Sequence, residues 1–465
     1  MMDPTLKAIS DYGASLTFGQ LPSEVVHEVK RRVIDTLGCG MAAYFMSAPS
    51  IARAYPLEVN ACPGATILGT RQLTTPDLAA FANGVLIRYL DFNDTSISKM
   101  TGHPSNNIAA VLAAAEYAGA DIQTAIVGIV LAYEVQDSLG EACQIMENGW
   151  DHVSYMAVSS AAGAGKALGL DRKQMANALA LAATSNVALL QTRVGELSMW
   201  KGCASGNANR NGVFAALMAR RGMEGPLEAF EGKRGFFRQL SKIAELRTFG
   251  EKRQTFRIQE DKFKSFPCDY EAQCAVHPAI ELNQVLGGQV EEIEKVEVET
   301  YHRALSIAAD TPDKWNPTTR ETADHSIPYV VAVALARGSL WLEDFDEEHI
   351  QDPGIHRLMQ KIEVKSTDEF TRVYPKASPV RIRVRIRSGQ EYVREIHYPR
   401  GNPKNPMTDQ EIEDKFRKLT KSVFSVSQTD IILDRLWHLE ETESVGKILS
   451  LFAVREPGIS AEGNA

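Results

Sequence analysis

The chain has 465 residues, 44% of them hydrophobic, which is length enough for two or three average domains and a sizeable core. Its 59 acidic residues outnumber 50 Lys plus Arg, and the formal charge of -9 argues against coating nucleic acid as its main business, so any anion site must be local. The six cysteines, Cys39, Cys62, Cys143, Cys203, Cys268 and Cys274, form no Cys-x-x-Cys pair and no cluster with His at metal-ligand spacing; they read as buried thiols of a reducing compartment.

Residues 1–16 carry acidic side chains and lack a basic stretch followed by an apolar core, so no secretory or transit peptide is expected and the cytosol is the expected compartment. Ser23 is a candidate N-cap, and Val26, Val29, Val33, Ile34 and Leu37 follow at helix spacing, predicting a helix with one buried face. Thr75 before Pro76 starts another, reaching about Leu90, because proline suits the first helical position. Ile108, Val111, Leu112 and Ala115 repeat the pattern. Ala-rich helices are predicted near 122–138, 154–168, 172–187 and 204–221, the last two rich in small residues that permit close helix approach. Glu116, Asp121 and Glu134 interrupt the longest Ala-rich stretches, leaving no run that would span a membrane.

After Pro267 the texture changes. Apolar and polar residues alternate near Val296 and again around Ile362 and Val364, predicting strands. Val380, Ile382, Val384 and Ile386 alternate with Arg381, Arg383, Arg385 and Arg387; a Ser388-Gly389 turn then leads to a second strand through Val393 and Ile396. The arginine row reads as a solvated strand face, since no aromatic platform for stacking bases accompanies it. Beyond Pro399–Pro406, Thr408 and Glu411 form a capping-box signature and helices resume to about Phe452. The expected fold class is mainly α: a large discontinuous all-helical domain, 1–267 and 399–455, with an inserted smaller α+β lid domain at 268–398 and a disordered tail at 456–465. Clefts between domains are favoured ligand sites.

Five polar segments could carry chemistry. Arg88-Tyr89-Leu90-Asp91-Phe92-Asn93-Asp94-Thr95, followed by Gly102-His103-Pro104-Ser105-Asn106-Asn107, joins two helices; Pro104 in the first turn places His103 near an N-cap, where free N–H groups and the helix dipole favour an anion such as a carboxylate. A polar capping loop would share this spacing. Asp151-His152-Val153 puts a second histidine before a small-residue helix, and Lys201 precedes another at Gly202–Arg210. Lys264 lies in Lys262–Gln273, where the helical region gives way to the insertion. Asp324 in Thr322–Tyr329 is the expected cap of a helix over Val330–Ala336. No phosphate-binding glycine loop, Gly-x-Ser-x-Gly elbow or His-Glu-x-x-His helix occurs, which leaves acid–base work on a substrate held by cations.

Together the segments Asp91–Asn107, Asp151–Val153, Lys201–Arg210, Lys264–Pro267, Ala323–Ser326 and Asn402–Met407 resemble the MmgE/PrpD family over about residues 5–450. The resemblance implies a helical domain plus an α+β lid, usually dimeric, in enzymes that dehydrate 2-methylcitrate, decarboxylate cis-aconitate or epimerise iminodisuccinate without an iron–sulfur cluster. Carried over by position, it implies an active site of Asp91, Thr95, His103, His152, Lys201 and Lys264 in the interdomain cleft. The family's decarboxylases have Arg and His where this chain has Ser265 and Asp269. The spacer Ser96–Gly102 and the run Ser265-Phe266-Pro267 look more like the 2-methylcitrate dehydratase branch, in which Glu271 is commonly a histidine.

The expected function is therefore a metal-independent lyase without a cofactor, acting on a small polycarboxylate by dehydrating 2-methylcitrate or a close analogue to the unsaturated acid through acid–base catalysis, and working as a cytosolic homodimer. No nucleic-acid or membrane partner is expected. Lys201, Lys264 and the helix start at His103 would hold carboxylates, His103 would be the main proton-transfer group, and His152, Asp91 and Thr95 would orient it or serve the leaving group. The same groups would serve an epimerase or a decarboxylase. Two further alternatives are a helical ligand-binding or scaffold protein without turnover, and a metal-dependent hydratase using His103, His152 and Asp91.

Overall fold

The stripe Val26, Val29, Val33, Ile34 and Leu37 becomes the buried face of a helix over Ser23–Ala42 in the computed structural model, which describes residues 2–194, 197–241, 246 and 255–454. Pro22 takes the cap position there, so Ser23 is the first helical residue. Among the described residues the protein is mainly helical. It divides into two units, one of Met1–Asp261 with Thr408–Ala465, the other of Lys262–Met407. The tail 456–465 lies outside the described residues.

In chain order the first unit contains α1 (Pro4–Ser15), α2 (Ser23–Ala42), α3 (Ser47–Leu57), α4 (Pro76–Tyr89), α5 (Asn107–Ala118), α6 (Ile122–Ala142), α7 (Val153–Ala167), α8 (Arg172–Ser185), α9 (Trp200–Arg220) and α10 (Phe236–Leu240). Two short hairpins, β1 (Ala65–Thr66) with β2 (Leu73–Thr74) and β3 (Ser96–Ile97) with β4 (Thr101–Gly102), interrupt the helices. Its core sits among α4, α5, α6, α7 and α9, whose facing residues are mostly Ala, Gly, Val and Ile. Small side chains let backbones come close. A Cβ on Gly206 of α9 would meet the Phe81 carbonyl of α4 at 2.6 Å, so glycine is required where these two helices cross.

The second unit contains α11 (Tyr270–Val285), β5 (Ile293–Thr300), α12 (His302–Ala308), α13 (Pro312–Trp315), α14 (Arg320–Ala323), α15 (Ile327–Arg337), α16 (Glu347–Ile350), α17 (Pro353–Met359), β6 (Ile362–Ser366), α18 (Asp368–Val373), β7 (Val380–Ile386) and β8 (Glu391–Ile396). Its sheet runs β6-β5-β7-β8, with β5 and β6 parallel and the other pairs antiparallel. Val380, Ile382 and Val384 face the core. On the other face Arg381 pairs with Glu299 and Glu395, Arg383 with Glu391 and Glu297, and Arg385 with Glu294. Three of the row's four arginines are thus paired with carboxylates of neighbouring strands, which leaves no continuous cationic stripe here for a phosphate backbone among the described residues.

Asp324 does not cap the following helix. Ser326 does, accepting from the Tyr329 amide, because helix α15 begins only at Ile327-Pro328; Asp324 pairs with His325 instead. The chain then returns to the first unit as α19 (Asp409–Thr420), α20 (Val426–Trp437) and α21 (Val445–Ser450), opening with the Thr408–Glu411 capping box. Lys415 of α19 anchors there: its Nζ lies 2.6 Å from Asp35 of α2 and donates to the Phe92 carbonyl at 2.8 Å. No helix of the described residues is long and apolar enough to cross a membrane.

Candidate active site

The loop after α4 is built around buried ion pairs. Asp91 adopts left-handed backbone (φ 50°), at a cost of about 1 kcal/mol for a residue with a Cβ, and thereby turns its carboxylate back toward the helix it has just left. Arg88, three residues earlier, meets it twice, Nη1 to Oδ1 at 2.8 Å and Nη2 to Oδ2 at 3.0 Å, both side chains almost fully buried. Such fork-to-carboxylate geometry is the strong form of an ion pair.

His103 is the N-cap residue of a short 3-10 turn, Pro104–Asn106, that leads into α5. The anion expected at this helix start is already there: Asp94 Oδ1 accepts from the Ser105 amide at 3.1 Å, while its Oδ2 takes the Tyr133 hydroxyl at 2.6 Å. A fully buried protein carboxylate therefore fills the role assigned to a substrate carboxylate. The His103 ring is engaged at both nitrogens. Nδ1 lies 2.8 Å from the Asp94 carbonyl oxygen and Nε2 lies 3.1 Å from Arg88 Nη2. A carbonyl only accepts and a guanidinium only donates, so Nδ1 carries the proton, Nε2 is the acceptor, and the ring is neutral. Thr95, also buried, donates to the Gly102 carbonyl at 3.2 Å and ties the two sides of the β3–β4 hairpin next to His103.

His152 precedes α7 and stands edge-on to His103, ring centroids 5.5 Å apart. Its Nδ1 is 2.8 Å from Asp151 Oδ1, and Asp151 Oδ2 is 2.8 Å from Arg193 Nε. The buried Nε2 has no hydrogen-bond partner among the described residues. Burial alone would push the Asp151 carboxyl up, but Arg193 and His152 together hold it below the usual carboxylate range. For His152, burial is the largest influence, and with the cations Arg193 and Arg88 it outweighs Asp151 and holds the imidazole below its ordinary value. An ionised acid on Nδ1 and a bare Nε2 are the arrangement of a general base.

Lys201 enters through the close crossing of α4 and α9. Helix α9 begins at Trp200, earlier than the apolar pattern predicts, so Lys201 lies in its first turn, buried, with Nζ 3.7 Å from Asp91 Oδ2. Behind it runs a buried polar lattice. Asn106 donates to Ser205, Asn209 donates to the Asn106 carbonyl, Ser160 donates to Asn107 and Asn209, and Asn107 donates to Gln136. This lattice locks α5, α6, α7 and α9 in register, and networks of this kind rigidify a site when satisfied.

The second unit holds Lys264. It is fully buried in a stretch fixed by Gln273, whose Oε1 accepts from the amides of Ser265 and Phe266 at 2.8 and 3.1 Å, and by Ser265 Oγ donating to the Arg400 carbonyl at 2.7 Å. The Asn402–Asn405 turn abuts the same stretch. Gly401, at φ 95°, accepts from the Phe263 amide, and a Cβ there would strike the Phe263 carbonyl. Glu271 is paired with Arg303 at 3.1 Å, and burial, reinforced by Asp269, pushes its carboxyl up to about 7.

Asp91, Thr95, His103, His152 and Lys201 thus assemble in the first unit, and Lys264 stands in the second. Sequence reasoning gave no role to Arg88, Asp94, Asp151 or Arg193. The first three lie inside the quoted segments, so their proximity was visible but not their partners. Arg193 had no signal: it is 41 positions beyond His152 in sequence and meets Asp151 only through the fold. Among the described residues no three His, Cys, Asp or Glu side chains are grouped so as to hold a metal ion.

Residues 7–248 match the MmgE/PrpD N-terminal domain and residues 266–439 the MmgE/PrpD C-terminal domain. A protein named 2-methylcitrate dehydratase from Salmonella typhimurium is 32% identical over 375 residues, 76% of each chain. Another of that name from Cupriavidus necator is 30% identical over 393 residues, 80% of this chain and 79% of its own. A cis-aconitate decarboxylase from Aspergillus terreus is 26% identical over 482 aligned positions, covering 95% of this chain and 94% of its own.

Proposed function

The chain belongs to the MmgE/PrpD family, and from that premise we propose that it is a metal- and cofactor-independent lyase that removes water from 2-methylcitrate or a close hydroxy-polycarboxylate analogue. The observation that supports this most is the Asp151–His152 pair with its bare, buried Nε2. Neutral His152 takes the proton from the carbon next to a carboxylate, and the electron pair of that C–H bond becomes the new C=C bond. The neighbouring C–O bond breaks, the departing hydroxyl takes the proton back from the imidazolium, and water leaves with His152 restored. Negative charge grows on the carboxylate during proton removal, and Lys201 beside Arg88 and Asp91 is the cation we assign to it. Asp91 keeps both cations in place, and Thr95 holds the hairpin that carries His103. Lys264 is proposed as a further holder of substrate carboxylate.

Incubating the full chain with citrate, 2-methylcitrate, cis-aconitate and isocitrate stereoisomers, with and without EDTA, tests the reading by product mass. Loss of the mass of water from 2-methylcitrate, unchanged by EDTA, is the expected result. Loss of carbon dioxide from cis-aconitate would favour the second reading, a decarboxylase, which the long alignment to the Aspergillus protein supports. No turnover of any member would leave a binding or scaffold protein. All six cysteines are free, five of them buried as expected and Cys62 exposed on a loop, which supports a reducing, cytosolic setting. Ile51 and Tyr55 of α3 and Trp200 and Phe214 of α9 are exposed large apolar residues on helices that share an apolar cluster, which supports a homodimer through this face. Light scattering of the purified chain checks that assembly.

A further inference from the structure

Arg88 has no part in the family's expected set of site residues, yet its side chain touches two of them, Asp91 and His103. It is 3% exposed, in the last turn of α4, and its guanidinium spans Asp91 on one side and His103 Nε2 on the other. A guanidinium keeps its proton throughout the working pH range and offers only donors. Protonating His103 at Nε2 would set one N–H against another, and the proton already on Nδ1 is donated to the Asp94 carbonyl, which holds it in place there. The charge also reaches His152, whose imidazolium Arg88 disfavours.

We propose that Arg88 is a positioning residue that holds His103 neutral in its Nδ1–H form, so that the mobile proton of the site belongs to His152 alone. His103 then shapes and orients the site without exchanging protons. The groups facing His103 include Arg88 from α4, the Asp94 carbonyl from its own loop, and His152 from the start of α7. Those facing His152 are Asp151, Arg193, Arg88 and His103. None of these except Arg88 can donate to His103 Nε2 among the contacts the structure shows. Asp91 matters to the arrangement as the counter-charge that keeps a buried cation tolerable and points it at the ring. A purely structural Arg88, one that only ties the loop to α4, would leave the protonation of both rings as it was once the loop was held by other means.

The inference is independent of which substrate is turned over, because it concerns protonation in the resting protein. Selective 15N labelling of histidine in the full chain, read by NMR between pH 5 and 8, gives the tautomer and titration of each ring. The expected wild-type result is a His103 that stays Nδ1-protonated and does not titrate in that range. Arg88→Gln keeps a neutral donor toward Nε2, so it should preserve the His103 tautomer while moving the His152 titration upward. Arg88→Met removes donor and charge, and His103 should then lose its fixed Nδ1–H tautomer. Arg88→Lys, which keeps the charge and fits the same space less well, guards against a Met variant that fails to fold; it should leave His152 unmoved. A wild-type His103 that titrates normally or carries its proton on Nε2 overturns the inference. So does an Arg88→Gln protein in which neither ring changes its titration. Failure of the dehydratase reading would show as absent turnover with these NMR results intact.

Discussion

Two histidines sit with their rings 5.5 Å apart, both buried, both at the start of a helix, and their surroundings give them opposite capacities. The loop that carries His103 spends both ring nitrogens on the protein, one on the Asp94 carbonyl and one on Arg88. The turn that carries His152 spends one, on Asp151, and leaves the other without a partner among the described residues. Residue type and position near a helix start do not distinguish them. What distinguishes them is which lone pair is already in use, a property of tertiary partners. A base must have a free lone pair in its resting state, so in the dehydration proposed above the proton-transfer role expected of His103 is assigned to His152 instead.

Replacing each ring in turn is the most direct way to break this comparison. His152→Ala is expected to lower kcat by about a hundredfold or more, the usual scale for loss of a positioned general base. Lys201→Ala should come next, as a fall in kcat/KM of about ten- to a hundredfold shared between a lower kcat and a higher KM, because a charge-assisted contact that strengthens as charge grows on the carboxylate is lost while the base remains. His103→Ala should cost about tenfold or less in kcat, through loosening of Arg88, with a lower melting temperature as the companion effect. Steady-state kinetics and thermal unfolding on the three variants, each against 2-methylcitrate, order the effects. A larger kcat loss at His103 than at His152 would return the proton to His103 and make the bare Nε2 incidental.

Much of the architecture was readable because burial leaves a periodic mark. The Val26–Leu37 stripe, the Pro76 start, the Thr408–Glu411 box and the alternation of Val380–Ile386 each express one local rule, and the structure shows each element. Where the rule was weak, the boundary moved: α9 starts at Trp200, ahead of the predicted 204, because its first turn is packed through small residues that carry no apolar stripe. The cap before α15 moved to Ser326 because two polar residues compete there and only the one adjacent to Ile327 can reach the Tyr329 amide. The candidate residues were recognisable as segments. Their roles were not, since the occupancy of the His103 nitrogens depends on Arg88 reaching back across fifteen positions, and the state of His152 on an arginine in another loop. Asp94 is the clearest case: its place in the same quoted loop says nothing of the Ser105 amide and Tyr133 hydroxyl that consume its oxygens.

The smallest expected effect probes the His152 side most finely. Arg193 lies 2.8 Å from Asp151 and disfavours the His152 imidazolium directly. Removing it in Arg193→Gln takes away that repulsion and also leaves Asp151 free to favour the charged ring, so both consequences raise the His152 pKa. The base works when neutral, so kcat/KM falls as pH drops through that pKa. In the wild type the fall should come below the ordinary imidazole value of about 6.5, because His152 is held down by burial and by the two arginines. In Arg193→Gln the limb should move up toward about 6.5, while kcat well above the limb drops only a few-fold, since the ring, its Asp151 contact and Lys201 all remain. Arg193→Lys keeps the charge and should leave the limb near its wild-type position. Rate profiles from pH 5 to 8 on the three proteins decide the matter. A wild-type limb at or above 6.5, or an Arg193→Gln limb that stays put or moves down, would show that His152 is not the group whose protonation governs turnover.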